Sequence, residues 1–151
     1  MKKLHFTTDI DAPAHDVWAT MLADPTYREW TSVFNADSHF DGTWDVGGTI
    51  RFLGSDGNGS VGGMIATVVD NRPGEFVSLE YVGQILDGAD DTTSEDAVAM
   101  AGMHELYSFS ATDSGTRVTV NVDSFDEFAP TLTEWWPQAL ARLKEIAERV
   151  S

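Results

Sequence analysis

Cysteine is absent from this chain of 151 residues, and basic residues are scarce, nine in all with only three lysines, against 25 acidic ones. Without cysteine there is no disulfide, no thiolate metal site and no cysteine nucleophile, so redox chemistry does not assign a compartment. Long apolar runs are missing too. Lys2 and Lys3 are followed by Leu4, His5, Phe6, Thr7, Thr8 and Asp9, which hold no apolar signal core, and no stretch approaches the ~18 apolar residues of a membrane span. Membrane insertion is not expected, and a cytoplasmic protein is. The formal net charge of -16 repels phosphate backbones and anionic lipids, which argues against nucleic acid as a partner. The same charge serves solubility or offers an acidic surface to a basic protein partner, and charge alone does not choose between them. A single domain over residues 1–151 is expected, long enough to bury about two thirds of its unfolded surface in one core.

What the chain does have is most concentrated at its end. Trp135, Trp136, Ala139, Leu140, Leu143, Ile146, Ala147 and Val150 fall within an arc of roughly 140° when each residue advances a helix by about 100°, and Phe128 and Leu132 fall in the same arc upstream. A stripe this broad, arriving after a run of strands, predicts a long helix laid across a sheet. The two tryptophans at its start widen the gap it must span, which predicts a pocket beneath it. Pro137 falls on the solvent side of the wheel, where it would bend the helix concave toward the sheet.

Upstream, Leu4, Phe6, Thr8 and Ile10 alternate with Lys3, His5, Thr7 and Asp9, the period of a strand with one buried face. Pro13 suits a first helical turn, and Ala14, Val17, Trp18, Met21 and Leu22 form one face before Asp24 and Pro25 end that helix. A short second helix through Tyr27, Arg28, Glu29 and Trp30 follows. Turn signals at Asp41-Gly42, Gly47-Gly48, Asp56-Gly57-Asn58-Gly59, Arg72-Pro73-Gly74 and Asp113-Ser114-Gly115 divide the middle into an antiparallel meander, with strands expected around 37–41, 49–54, 62–70, 76–83, 104–111 and 116–122. The stretch from Leu86 to Met100, rich in Asp, Ala and Thr, reads as a mobile acidic loop with room for one helical turn rather than as a linker between domains.

This order, and several local runs within it, resembles a known family. Ile10-Asp11-Ala12-Pro13 leading to Val17-Trp18, then Trp30 and Trp44-Asp45-Val46-Gly47-Gly48, resembles the opening half of the activator of heat-shock protein 90 ATPase homologue family. Arg72-Pro73-Gly74-Glu75-Phe76, Gly115 through Val120 and Trp135 through Lys144 resemble its closing half. That family lies in the START-like superfamily, also called SRPBCC, of lipid-carrier, pollen-allergen-like and aromatase/cyclase domains. The resemblance implies an α+β helix-grip fold: a curved antiparallel sheet of six to seven strands wrapped around a long C-terminal helix, with two short helices after strand one. The quoted residues are packing and turn residues, and the family shares no catalytic motif to carry over.

Motifs that would imply other chemistry do not fit their surroundings. Gly57-Asn58-Gly59-Ser60-Val61-Gly62 has the glycine spacing of a dinucleotide loop, but a strand follows it where a helix N-terminus would be needed to meet the pyrophosphate, so a hairpin is expected. His5, His15, His39 and His104 share no metal-ligand spacing, and Asp87, Asp90, Asp91, Glu95 and Asp96 lack the ligand alternation and central glycine of a calcium loop. No metal or cofactor is expected.

The constellation with chemical potential is Glu105, Tyr107 and Phe109, whose shared parity puts all three on one face of a strand. Two orientations are open. In one, Leu106 points inward and Glu105 is solvated or paired with Arg51. In the other, favoured because Tyr107 and Phe109 bury more apolar surface than Leu106 with Ser108 and Ser110, Glu105 enters the core region and is desolvated. Surplus aromatics then complete a set of cavity candidates: Trp30, Phe40, Phe52, Tyr81, Glu105, Tyr107, Phe109, Trp135, Trp136 and Leu140. The leading expectation is non-catalytic binding of a small hydrophobic or aromatic ligand. The alternatives are a cyclase- or hydrolase-type enzyme in which Glu105 with Tyr107 or His104 moves protons, and a co-chaperone-like protein-interaction module working through the helix or the acidic loop.

Overall fold

A computed structural model describes residues 1–150, so Ser151 and the side chain of Val150, the last member of the predicted stripe, lie outside the described residues. The order is β1 (Lys2–Ile10), α1 (Ala14–Leu22), α2 (Asp24–Trp30), a single 3-10 turn (Thr31–Val33), β2 (His39–Gly42), β3 (Thr49–Ser55), β4 (Val61–Arg72), β5 (Phe76–Leu86), β6 (Ala89–Asp91), α3 (Glu95–Met100), β7 (His104–Ala111), β8 (Thr116–Ser124) and α4 (Ala129–Val150). All the paired strands are antiparallel neighbours in one sheet of order β1-β8-β7-β5-β4-β3-β2, with β6 attached to β5 off that path. β1 pairs with β8 along its whole length, from Lys2 opposite Ser124 to Ile10 opposite Thr116. The chain therefore begins beside the strand that delivers it into α4.

Alternation does the sorting between faces. Ile10, Val77, Leu79, Tyr107, Phe109, Val118, Val120 and Val122 are buried on the inner face, while Lys3, Asp9, Arg117 and Asp123 form ion pairs on the outer one. Register shifts between β4 and β5, at Ile65/Ala66 and Val68/Asp70, mark bulges that increase local twist and help the long central strands curl around the helix. Trp136, Ala139, Leu140, Leu143, Ile146 and Ala147 of α4 are all buried against that concave face, as the stripe requires. The helix runs unbroken through Pro137, whose ring is exposed on the solvent side.

Several expectations are corrected at the element ends. Pro13 stands one position ahead of α1, where its carbonyl accepts the Val17 N–H at 3.0 Å. Asp24 and Pro25 open α2 rather than merely closing α1, since proline at the first helical positions surrenders no bond. Phe128 precedes α4 and is 57% exposed, so the docked stripe begins after it. The supposed acidic loop after Leu86 contains β6 and α3. Its order comes from Asp91, whose carboxylate accepts hydrogen bonds from the Ser94 hydroxyl at 2.6 Å, Gln84 Nε2 at 2.9 Å and the Ser94 backbone N–H at 3.0 Å, which hold its pKa below the usual carboxylate range. Ser94 then caps α3 by accepting from Ala97 N–H at 3.2 Å. Arg51 is paired with Asp90 at 2.6 Å on the outer side, far from the role of a partner for Glu105.

Candidate functional site

A cavity of about 760 Å³ opens between the sheet and the first turns of α4. Each wall follows from a local pattern. Tyr27, Trp30 and Thr31 come from α2 and the 3-10 turn, with Phe34 just beyond; Phe52, Met64, Tyr81, Glu105 and Tyr107 come from β3, β4, β5 and β7; Leu132, Trp135 and Trp136 come from α4. The 3-10 turn sets the first wall at a fixed distance because the Thr31 hydroxyl donates to the Tyr27 carbonyl at 2.6 Å and Trp30 Nε1 donates to the Met21 carbonyl at 3.0 Å. Trp136 closes the inner end, with its ring 6.1 Å from Phe6, 5.9 Å from Trp30 and 5.0 Å from Phe34. Gly63 on the floor adopts φ +154°, and a β-carbon there would lie 1.8 Å from the Phe52 carbonyl oxygen, so only glycine lets β4 pass this close to β3. A smaller recess of about 230 Å³ shares Met64, Tyr81 and Trp135 and adds Met100, Met103 and Phe125.

Glu105, half-buried, and the exposed Asp56 are the charged residues of this largely apolar lining. Tyr81 Oη donates to Glu105 Oε1 at 2.9 Å, and Tyr107 Oη donates a short hydrogen bond to Glu105 Oε2. Tyr107 reaches it because it lies two residues along on the same face of β7, and Tyr81 because it lies diagonally across on β5, two residues beyond the Leu79 that opposes Glu105. Burial raises the Glu105 pKa above the usual glutamate value, and the two phenol hydrogen bonds pull it partly back. Desolvation, reinforced by the Glu105 charge, pushes the hydroxyls of Tyr81, Tyr107 and Tyr27 well up, so all three are protonated at neutral pH. A carboxyl group enclosed by phenols and tryptophans can accept a ligand donor or exchange a proton.

The raised pKa has a measurable consequence for stability. Below the ordinary glutamate value of ~4.3 the group is protonated whether the chain is folded or unfolded. As pH rises, the unfolded chain loses the proton first, so the contribution of Glu105 to stability is complete below the unfolded pKa and is lost as pH rises through the folded one. The melting temperature of wild type relative to Glu105→Gln should therefore decline with rising pH above ~4.3 and level off beyond the folded pKa. A difference that stays constant from acid to neutral pH would mean that the carboxyl is not desolvated.

Of the ten candidates from the sequence, Trp30, Phe52, Tyr81, Glu105, Tyr107, Trp135 and Trp136 line the cavity. Phe40, Phe109 and Leu140 do not. Phe40 packs edge-on against Tyr27 and Trp44, at 5.1 and 5.4 Å, behind the wall. Phe109 and Leu140 are buried in the solid core, further along β7 and α4 than the opening reaches. Tyr27, Phe34, Met64 and Leu132 line the cavity and were not singled out. For Tyr27 a signal existed: it shares the short second helix with Trp30 and is spaced from it by one turn.

Another hollow, of about 560 Å³, lies on the outer face of the sheet among His5, Phe76, His104, Leu106 and Asn121. Its polar groups engage one another, His5 with Asn121 at 2.8 Å and Lys3 with Asp123 at 3.0 Å, so its buried carboxylate, Asp123, already has a cationic partner. Among the described residues no cluster of His, Asp and Glu is arranged to hold a metal ion. The glycine-rich run is a hairpin between β3 and β4, where Asp56 Oδ1 accepts the Asn58 and Ser60 N–H groups at 2.7 and 3.2 Å. No helix among the described residues is long and apolar enough to cross a membrane.

Comparison with solved structures gives the same architecture. Protein MLL2253 from Mesorhizobium loti superposes with a TM-score of 0.74 at 16% identity, covering 99% of each chain. The Aha1 dimer from Colwellia psychrerythraea gives 0.70 at 18% identity, over 98% of this chain and 97% of that one. The AHSA1-like protein from Aeromonas hydrophila gives 0.69 at 16% identity, over 99% and 94%. At these identities the likeness speaks for the fold, a helix-grip one. No curated protein matches the sequence significantly. The sequence profile of the family described as polyketide cyclase/dehydrase and lipid transport matches residues 1–148. With that match running through β1, the meander and nearly all of α4, the chain belongs to the polyketide cyclase/dehydrase and lipid transport family of the START-like (SRPBCC) superfamily.

Proposed function

We propose that this protein binds a small hydrophobic or aromatic molecule in the cavity beneath α4, with Glu105 as the polar anchor. The observation that carries the reading is the combination of a volume suited to a small organic molecule, aromatic walls and a half-buried carboxyl group held by two phenols. Apolar surface supplies the affinity, and the carboxyl orients the ligand through a donor that it accepts. Families of this kind hold hydrophobic ligands, which supports the same reading.

A neutral solvatochromic naphthylamine dye tests it. The folded protein should bind the dye, raise its emission and quench part of its own tryptophan fluorescence, because Trp30, Trp135 and Trp136 surround the site. Native mass spectrometry of protein purified from its own host should show a co-purifying small mass that the dye displaces. Folded protein that neither binds dye nor carries such a mass would remove the proposal.

The same cluster supports a second reading, an enzyme that uses Glu105 as general acid or base. A carboxyl with a raised pKa, facing a cavity and flanked by two phenols, is suited to moving protons at neutral pH. The two readings separate on turnover: a displaced ligand that leaves chemically unchanged favours binding, and a new mass favours catalysis.

A further inference from the structure

We propose that the molecule held beneath α4 is cationic, a protonated amine or quaternary ammonium group on an apolar or aromatic body, seated against Glu105. This rests on the ligand-binding reading above and names its ligand class. The charged residues lining the cavity are Glu105 and Asp56, and among the described lining residues there is no lysine, arginine or histidine. The arginines of the wall-forming elements, Arg28 on α2, Arg51 on β3, Arg72 on β4, and Arg142 and Arg149 on α4, pair instead with Asp24, Asp90, Asp70, Glu145 and Glu29 at 2.6 to 3.4 Å. Glu105 thus lacks the positive partner that a desolvated carboxylate ordinarily needs. Its neighbours are phenols, which donate hydrogen bonds but bring no charge.

A cationic ligand would supply that missing charge. A neutral ligand leaves the carboxylate unpaired, and a fatty acid or phosphate head would place like charge beside it. The walls are compatible with that preference, since Tyr27, Trp30, Phe34, Phe52 and Trp136 line the cavity and the face of an aromatic ring attracts a cation. The net charge of -16 acts at longer range by concentrating cations at the protein surface.

The experiment compares three probes of similar shape on the full chain by titration calorimetry at neutral pH: benzyltrimethylammonium, its neutral carbon isostere neopentylbenzene, and phenylacetate. The cation should bind about ten-fold or more tightly than the isostere, with phenylacetate weakest. Glu105→Gln should shrink the ratio of cation to isostere to about two-fold while leaving the isostere's affinity in place. Lowering the pH should weaken the cation alone. Tyr81 from β5, Tyr107 from β7 and Tyr27 from α2 face Glu105 and stay protonated throughout, α4 contributes the non-titrating Leu132, Trp135 and Trp136, and Asp56 sits at the rim. Should the Gln variant not fold, the wild-type ratio still decides. Isostere or phenylacetate binding as tightly as the cation, in competition with the naphthylamine dye, overturns the cationic ligand and leaves the cavity reading standing. Failure of all three probes and of the dye overturns both.

Discussion

Leu143→Asp is expected to unfold the protein at ordinary temperatures. Leu143 is 0% exposed and sits at the centre of the α4 stripe, between Leu140 and Ile146, which are equally enclosed. The substitution forfeits about 1.5–3 kcal/mol of apolar burial and places a carboxylate among side chains that offer it no partner, at a further cost of several kcal/mol. Those costs together rival the ~5–15 kcal/mol that holds a domain of this size folded. Circular dichroism should show loss of the cooperative melt. Ala141→Asp, two residues away on the exposed side of the same helix, adds the same charge and should cost only about 0.5–1 kcal/mol through helix propensity. Equal melting temperatures for the two variants would mean that α4 is not docked on the sheet.

Trp30→Ala should destabilise by about 3–5 kcal/mol, the range for emptying a large buried aromatic site. Trp30 is 1% exposed and touches both walls of the cavity: its ring lies 5.5 Å from Tyr27 and 5.9 Å from Trp136. Removing it also leaves the Met21 carbonyl without the 3.0 Å hydrogen bond from the indole. Trp30→Phe separates the two contributions. It keeps most of the ring volume, so its loss should be nearer to ~1–2 kcal/mol for the orphaned carbonyl and the small void. Denaturant unfolding of both variants measures the difference. If Trp30→Ala lies within ~1 kcal/mol of wild type, the wall of α2 is not packed against α4.

The contrast between Glu105 and Arg51 shows what a linear pattern can and cannot contain. Parity puts Glu105 on one face with Tyr107 and Phe109, and the larger apolar area of that pair over Leu106 and the serines favours the inward orientation without excluding the other. Nothing comparable links Arg51 to Asp90, its partner at 2.6 Å, since the two are 39 residues apart on strands β3 and β6 that meet only through β4 and β5. In the stretch after Leu86 the sequence allows a helical turn, where α3 forms, but hides β6 and the order around it for a related reason. Asp and Ser that organise their own backbone look, in composition, like Asp and Ser that are merely solvated. The hydrogen bonds that Asp91 accepts from Ser94 and Gln84, and the cap on Ala97, distinguish them.

The aromatics divide in the same way. Their abundance announced more ring surface than a small core needs, and seven of the ten nominated residues do line the opening. Phe40, Phe109 and Leu140 lie outside it, because membership depends on how far the gap between two curved elements extends. Periodicity says which way a side chain points, but not what stands opposite it.

By itself the sequence determined the faces of most strands, the hairpins that its turn residues mark and the stripe that docks α4, all of which follow from repeats of two or 3.6 residues and from local turn chemistry, and it left two orientations open for Glu105. Tertiary structure alone decided that Glu105 turns toward the cavity, that Tyr81 meets it across β5 and β7, that Tyr27 closes the wall from α2, and that among the described residues no lysine, arginine or histidine lines the cavity. These are distances between segments far apart in the chain, set by sheet order, bulge and helix crossing, and a repeating local pattern carries no record of them.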